Sequence, residues 1–132
     1  MIARNNIFNI RKGSKWKGMT GVRKGFVEFE SKKMAMRAWL KLMRTYRRVY
    51  GCTTIRQIVT RYAPPNENDT EGYIQYCCRH MDMNPDDMLV FDSEYIQLAA
   101  AMARMETGEE LNTKWAHGVM EKFNLTIVKN EN

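Results

Sequence analysis

Long apolar runs are missing from this chain, and so is most of what metal and redox chemistry needs. No stretch of its 132 residues is long and apolar enough to span a membrane. Residues 1–12 lack the apolar centre of a secretion signal, so export would need some other carrier. The three cysteines, Cys52, Cys77 and Cys78, are odd in number and two are adjacent. That excludes a disulfide framework and reads as reduced, semi-buried thiols. The two histidines, His80 and His117, stand at no ligand-like spacing from cysteines or acids, so no metal site and no cofactor is implied. Neither histidine can be matched to a cysteine or serine nucleophile. No phosphate-cradling glycine loop precedes a helix. Acids are nearly absent from the first half: residues 1–50 hold fourteen Lys/Arg against Glu28 and Glu30. Residues 51–132 hold seven against thirteen, and the whole chain has a net charge of +6.

What is present suits one soluble domain over residues 1–132, with 44% apolar and 27% charged residues. Eleven methionines suggest an adaptable core. The basic half suits an anionic polymer, either nucleic acid or the wall polymers around peptidoglycan, and any one basic cluster also reads as a solvated helix face.

Residues 4–25 are polar and glycine-punctuated, which predicts irregular structure and at most one short hairpin. Phe26-Val27-Glu28-Phe29-Glu30 alternates like a strand, and Ser31 reads as a helix cap. Met34, Ala38, Leu42 and Tyr46, with Trp39 and Met43, give an amphipathic helix of roughly 18 residues. Its polar face carries Lys33, Arg37, Lys41, Arg44 and Arg48, and Gly51 ends it. Capping boxes are expected at Thr54/Gln57 and Asn68/Glu71, with a stop at Ala63-Pro64-Pro65 between them. The second opens a helix with Tyr73, Ile74 and Cys77 on its apolar stripe. Asn84-Pro85-Asp86-Asp87 makes a turn, and Asp92 or Ser93 caps a central helix. Asn112 caps a last helix with Trp115, Val119 and Phe123 inward, and Leu125–Val128 is a terminal strand or a tail. The expected fold class is α+β, mainly α, with a small β element near the N-terminus.

The run Ala99–Gly108 is the informative one. It is small or apolar almost all the way round, then ends Glu106-Thr107-Gly108. An all-apolar helix is usually buried, and Gly108 is free to take the left-handed backbone that stops it. Glu106 then sits at the negative end of a helix dipole beside a core, and both conditions raise its pKa. A carboxylic acid that keeps its proton near neutral pH is what a glycosidase needs to expel a sugar oxygen. The competing reading is a structural glutamate that breaks the surface at a helix end. From the helix alone that reading is the stronger one.

Several segments follow one another in a familiar order: Arg4-Asn5-Asn6-Ile7-Phe8-Asn9-Ile10-Arg11, Trp16-Lys17-Gly18, Gly25–Ser31, Ala38–Tyr46, Thr54–Ile58 and Arg61–Thr70 with Tyr73-Ile74. Together they resemble a family of small phage and prophage proteins labelled virion structural or lysozyme-like proteins. The likeness covers most of residues 4–110, and Ala63-Pro64-Pro65-Asn66-Glu67-Asn68-Asp69-Thr70 is its most specific block. The chain departs from that pattern at Ile7, where a proline is usual, and at Met36, where a glycine is usual.

A second, weaker resemblance is to the glucosaminidase domains of bacterial autolysins. Asn5–Ile10, Phe26–Ser31 and Asp69-Thr70-Glu71-Gly72-Tyr73-Ile74 are similar to three of their blocks, the last with its polar residues reordered. The glutamate helix that leads those domains is missing in front, and Ala101–Gly108 resembles it at the other end. The resemblance implies a circularly permuted lysozyme-like fold, which neighbouring termini make tolerable. In that context the catalytic reading of Glu106 overtakes the structural one.

The resemblance then implies cleavage of the β-1,4 glycan backbone of peptidoglycan, with Glu106 as general acid and Tyr73 holding the sugar or stabilising the developing charge. Tyr73 reads equally well as a core aromatic. Asn6, Trp16, Glu67, Asn68 and Thr70 are the candidate substrate-binding residues. Against that, Asn5, Asn6 and Asn9 suit turns, Trp16 suits a core edge, and Glu67 and Asp69 suit local caps. Glu28, Glu30, Glu67 and Asp69 are candidates for a second acid, and without one the sugar's own hydroxyl attacks, as in a lytic transglycosylase. Peptidoglycan strands and other virion proteins are the implied partners, in the virion, the host bacterial cell or its periplasm and wall. The alternatives are a catalytically inactive virion protein of the same fold and, last, a nucleic-acid-binding module using Arg37, Lys41, Arg44 and Arg48.

Overall fold

In the computed structural model, which describes residues 2–128, the chain enters the core before it forms any regular element. Ala3, Ile7, Phe8 and Ile10 are buried along an irregular path, and Phe8 stacks on Trp39 with ring centroids 5.2 Å apart. Asn6 holds this path in shape. Its side chain is fully buried, donates to the carbonyls of Ile10 (2.9 Å) and Val27 (2.8 Å), and accepts from the Ile10 N–H (2.9 Å). Asn5 and Asn9 take left-handed backbone at φ 61 and φ 53, which asparagine tolerates better than most residues. The left-handed backbone at Asn5 and Asn9 agrees with the turn reading for those two residues.

The hairpin is formed by β1 (Met19–Arg23) and β2 (Phe26–Phe29), antiparallel. Lys24 and Gly25, both at positive φ, make the two-residue turn whose twist matches the strands. Val27 and Phe29 face the core, while Glu28 accepts from the Arg4 N–H. Ser31 caps α1 (Lys32–Arg48), as expected, by accepting from the Met34 N–H. Met36 and Leu40 are buried alongside the expected stripe, so α1 is a core helix and not merely a covering one. Its basic face is partly overlaid: the Arg37 guanidinium lies over the Phe123 ring, and Arg48 donates to the Thr126 carbonyl.

The remaining helices are α2 (Ile55–Tyr62), α3 (Thr70–Met81), α4 (Asp92–Thr107) and α5 (Thr113–Lys122). Helix α4 packs between α3 and α5, and α5 also packs on α1. The result is mainly helical with one two-stranded sheet. Thr54 caps α2 and Asn112 caps α5 as expected.

Three local expectations are corrected, and one open alternative is decided. Asp69, not Asn68, caps α3, because its carboxylate reaches the Gly72 N–H while Asn68 donates back to the Pro64 carbonyl. Phe91, not Asp92 or Ser93, is the cap position of α4. The carboxylate of Glu94 takes the N–H groups of Val90 (2.7 Å) and Phe91 (3.0 Å) instead. Asp92 is freed to accept from Ile127 and Val128, both at 2.8 Å, so Leu125–Val128 is a pinned tail and forms no strand. Trp115 faces outward, and Ala116 takes the inward place beside Val119 and Met120.

Candidate active site

The end of α4 is where the expected acid emerges from the core. Tyr95, Ile96, Leu98–Ala103 are buried, and Gly108 takes φ 77 to stop the helix. Glu106 is the first polar group on the final turn that faces back toward the body of the protein. Its Oε2 accepts from the Tyr73 hydroxyl at 2.9 Å, and its Oε1 accepts from Asn9 Nδ2 at 3.1 Å. The same Asn9 nitrogen also donates to the Glu106 carbonyl at 3.0 Å, which occupies an acceptor that the helix end leaves open. One residue on, the Thr107 hydroxyl donates to the Ile7 carbonyl. The Glu-Thr-Gly turn and the Asn5–Ile10 segment are therefore clasped together, across 97 residues of sequence in the case of Asn9 and Glu106.

Burial pushes the Glu106 pKa above the ordinary carboxylate value. The donors Asn9 and Tyr73, and then the charge of Arg11, oppose that shift without cancelling it. The Tyr73 phenol is itself driven far up, by burial first and the adjacent Glu106 second, so it stays protonated. A phenol can donate to a carboxylate and turn to accept from a carboxylic acid, so the pair accommodates both states of Glu106.

Around this carboxyl lie three shallow depressions that share walls. One, of about 230 Å³, is lined by Asn68, Asp69, Tyr73, Met105 and Glu106. A second, of about 220 Å³, has Asn9, Arg11, Phe26, Tyr62, Asn68 and Glu106 among its walls. A third, also about 220 Å³, continues past Asn9, Arg11 and Tyr62 to Trp16 and Arg61. Glu106 belongs to the first two, so it opens onto a groove and is not sealed in the core. Tyr62 is fixed there by its hydroxyl, which donates to the Phe8 carbonyl at 2.6 Å.

The structure brings some of the expected residues together and spends others elsewhere. Glu106, Tyr73 and Asn68 share one depression, and Trp16 lines the far arm. Asn6 does not reach the groove, since every polar atom of its side chain is bonded to buried backbone. Thr70 is likewise buried, with its hydroxyl donating to the Ala63 carbonyl. Glu67 is on the surface in an ion pair with Arg11 at 3.1 Å. Of the candidate second acids, Asp69 shares a depression with Glu106, and one of its oxygens caps α3. Asn9 is the site residue that the sequence reading underrated. Its signal was a polar side chain in the Asn5–Ile10 block, but only contact with α4 shows which asparagine meets the acid. Among the described residues no group of three or more His, Cys, Asp or Glu side chains could hold a metal ion, and no helix is long and apolar enough to cross a membrane.

No known family model matches the chain. It is similar to Protein P5 of Pseudoalteromonas phage PM2, 34% identical over 110 residues that span 79% of this chain and 68% of the phage protein. At that identity and coverage the chain belongs to the family of this phage protein.

Proposed function

We propose that the protein is a lysozyme-like enzyme that cleaves the β-1,4 glycan backbone of peptidoglycan, with Glu106 as its general acid. The observation that carries this reading is the carboxyl itself: raised in pKa by burial, open to a groove, and flanked by two fixed donors. The neutral acid donates its proton to the glycosidic oxygen as the bond to the anomeric carbon breaks and an oxocarbenium-like centre develops. The carboxylate left behind receives hydrogen bonds from Asn9 and Tyr73, which stabilise it in a partly dry site. It then takes a proton from the attacking group, water in a hydrolase or an internal sugar hydroxyl in a lytic transglycosylase. Asp69 is the nearby carboxylate best placed to help a water.

The clasp between the α4 end and Asn5–Ile10 supports a permuted arrangement, because a helix that ends in Glu-Thr-Gly directly precedes that kind of block in the glucosaminidase domains. A phage relative fits the same activity, since a phage must pass the wall on entry or exit. The protein would act from the virion or within the infected cell, beside other virion proteins.

The test is a zymogram on purified cell wall with wild type and Glu106→Gln side by side, followed by mass spectrometry of released muropeptides. Wild type should clear the wall, and the variant should be about 10²- to 10⁴-fold slower, the usual worth of a general acid. An anhydro end on the products identifies the transglycosylase route. Folded wild type that clears nothing sinks the enzymatic reading in favour of a structural virion protein.

A further inference from the structure

The far arm of the groove carries charge that no carboxylate among the described residues neutralises. Arg61, on the last turn of α2, has its guanidinium 3.6 Å from the Tyr50 ring centroid and 5.4 Å from that of Tyr46. Stacking of that kind fixes the plane of the guanidinium while leaving its edge donors unused. No carboxylate among the described residues pairs with Arg61 or with Lys12, which lines the same depression. Arg11, which lines both this arm and a depression that holds Glu106, is compensated by Glu67. The floor between these cations is aromatic, from Trp16, Tyr46 and Tyr62. This is a surface for a sugar ring with a negative group attached: rings stack on ring faces, and planar guanidinium edges take carboxylate or phosphate oxygens.

We infer that the arm lined by Lys12, Trp16 and Arg61 is a subsite for a sugar bearing an anionic substituent, which selects decorated over bare glycan and sets the register of the strand at Glu106. The inference rests on the glycan-cleaving reading and names its substrate more closely. Its shared chemistry is an oxyanion hung on the glycan. In a wall that group is the carboxylate of a stem peptide or the phosphate of an attached polymer. The arm joins the acid through Asn9, which lines this depression and hydrogen-bonds Glu106. A ring seated on Trp16 would occupy an arm that shares Asn9, Arg11 and Tyr62 with a depression holding Glu106.

The experiment measures pelleting of the full chain carrying Glu106→Gln with three sacculus preparations: intact, stripped of stem peptides by an amidase, and stripped of phosphodiester polymers by hydrofluoric acid. Affinity should fall on one stripped preparation, and that preparation identifies the anion. On intact sacculi, adding Arg61→Gln or Lys12→Gln should each weaken binding about fivefold, as for one exposed charge contact. On the stripped preparation that loses affinity, neither change should matter further. Arg61→Lys should recover part of the binding, which a mere packing defect would not. Equal affinity for all three preparations, or undiminished binding by the neutralised variants, overturns the subsite. Wild type that fails to cleave while this pattern holds overturns the chemistry at Glu106 and leaves the subsite standing.

Discussion

At the scale of single residues, two asparagines a turn apart do opposite jobs. Asn6 is spent on backbone and Asn9 on the acid, though both come from one polar run. Asn6→Ala leaves the carbonyls of Ile10 and Val27 and the Ile10 N–H short of a partner inside the core. It should cost at least ~1–3 kcal/mol in urea unfolding without altering the activity of the molecules that remain folded. Tyr73 acts on the proton. Its hydroxyl lowers the Glu106 pKa by donating to the carboxylate, so Tyr73→Phe lets burial raise that pKa further. The alkaline limb of the pH–rate profile should move to higher pH. The maximal rate should fall roughly 10- to 100-fold, as expected when a carboxylate forms with one fewer donor.

At the scale of elements, α4 owes its position to apolar sides and its end to a glycine. No atom lies within 4 Å of a Cβ added at Gly108, so space is not what excludes a side chain there. The positive φ is. Gly108→Ala should lower stability by ~1 kcal/mol through backbone strain alone, readable as a lower thermal midpoint with the groove intact. The caps show where local reading succeeds and where it slips. Ser31 was legible because no rival cap stands beside it, and Thr54 and Asn112 were read correctly over the neighbouring Thr53 and Thr113. Asn68-Asp69 and Phe91-Asp92-Ser93 offered rival caps within a residue or two. Tertiary demand chose between them, since Asp92 is taken by the tail at Ile127 and Val128.

At the scale of the whole molecule, the raised pKa of Glu106 ties stability to pH. The folded state holds that proton more tightly than the unfolded chain, whose carboxyl has an ordinary value near 4.5. The contribution is therefore complete below that value and is lost as pH rises through the folded pKa. Glu106→Gln keeps the shape and removes the charge, so it should gain thermal midpoint on wild type as pH climbs from 4 to 8. The two should converge at the acid end. A constant gap across that range would mean that the carboxyl is not desolvated in the folded protein.

The sequence by itself determined the helices, the strand at Phe26–Phe29, the burial of α4 and the exit of Glu106 at its end. Apolar spacing, capping residues and glycine act within a few residues of where they stand. Tertiary structure alone decided what Glu106 meets. Asn9 and Tyr73 lie far from it along the chain, and their reach depends on how α3, α4 and the N-terminal segment pack. It also decided that Asn6 and Thr70 face inward, that Trp115 faces out, and that Arg61 and Lys12 line the groove with no carboxylate partner among the described residues. Spacing along a chain carries no information about contacts that close only when the core does.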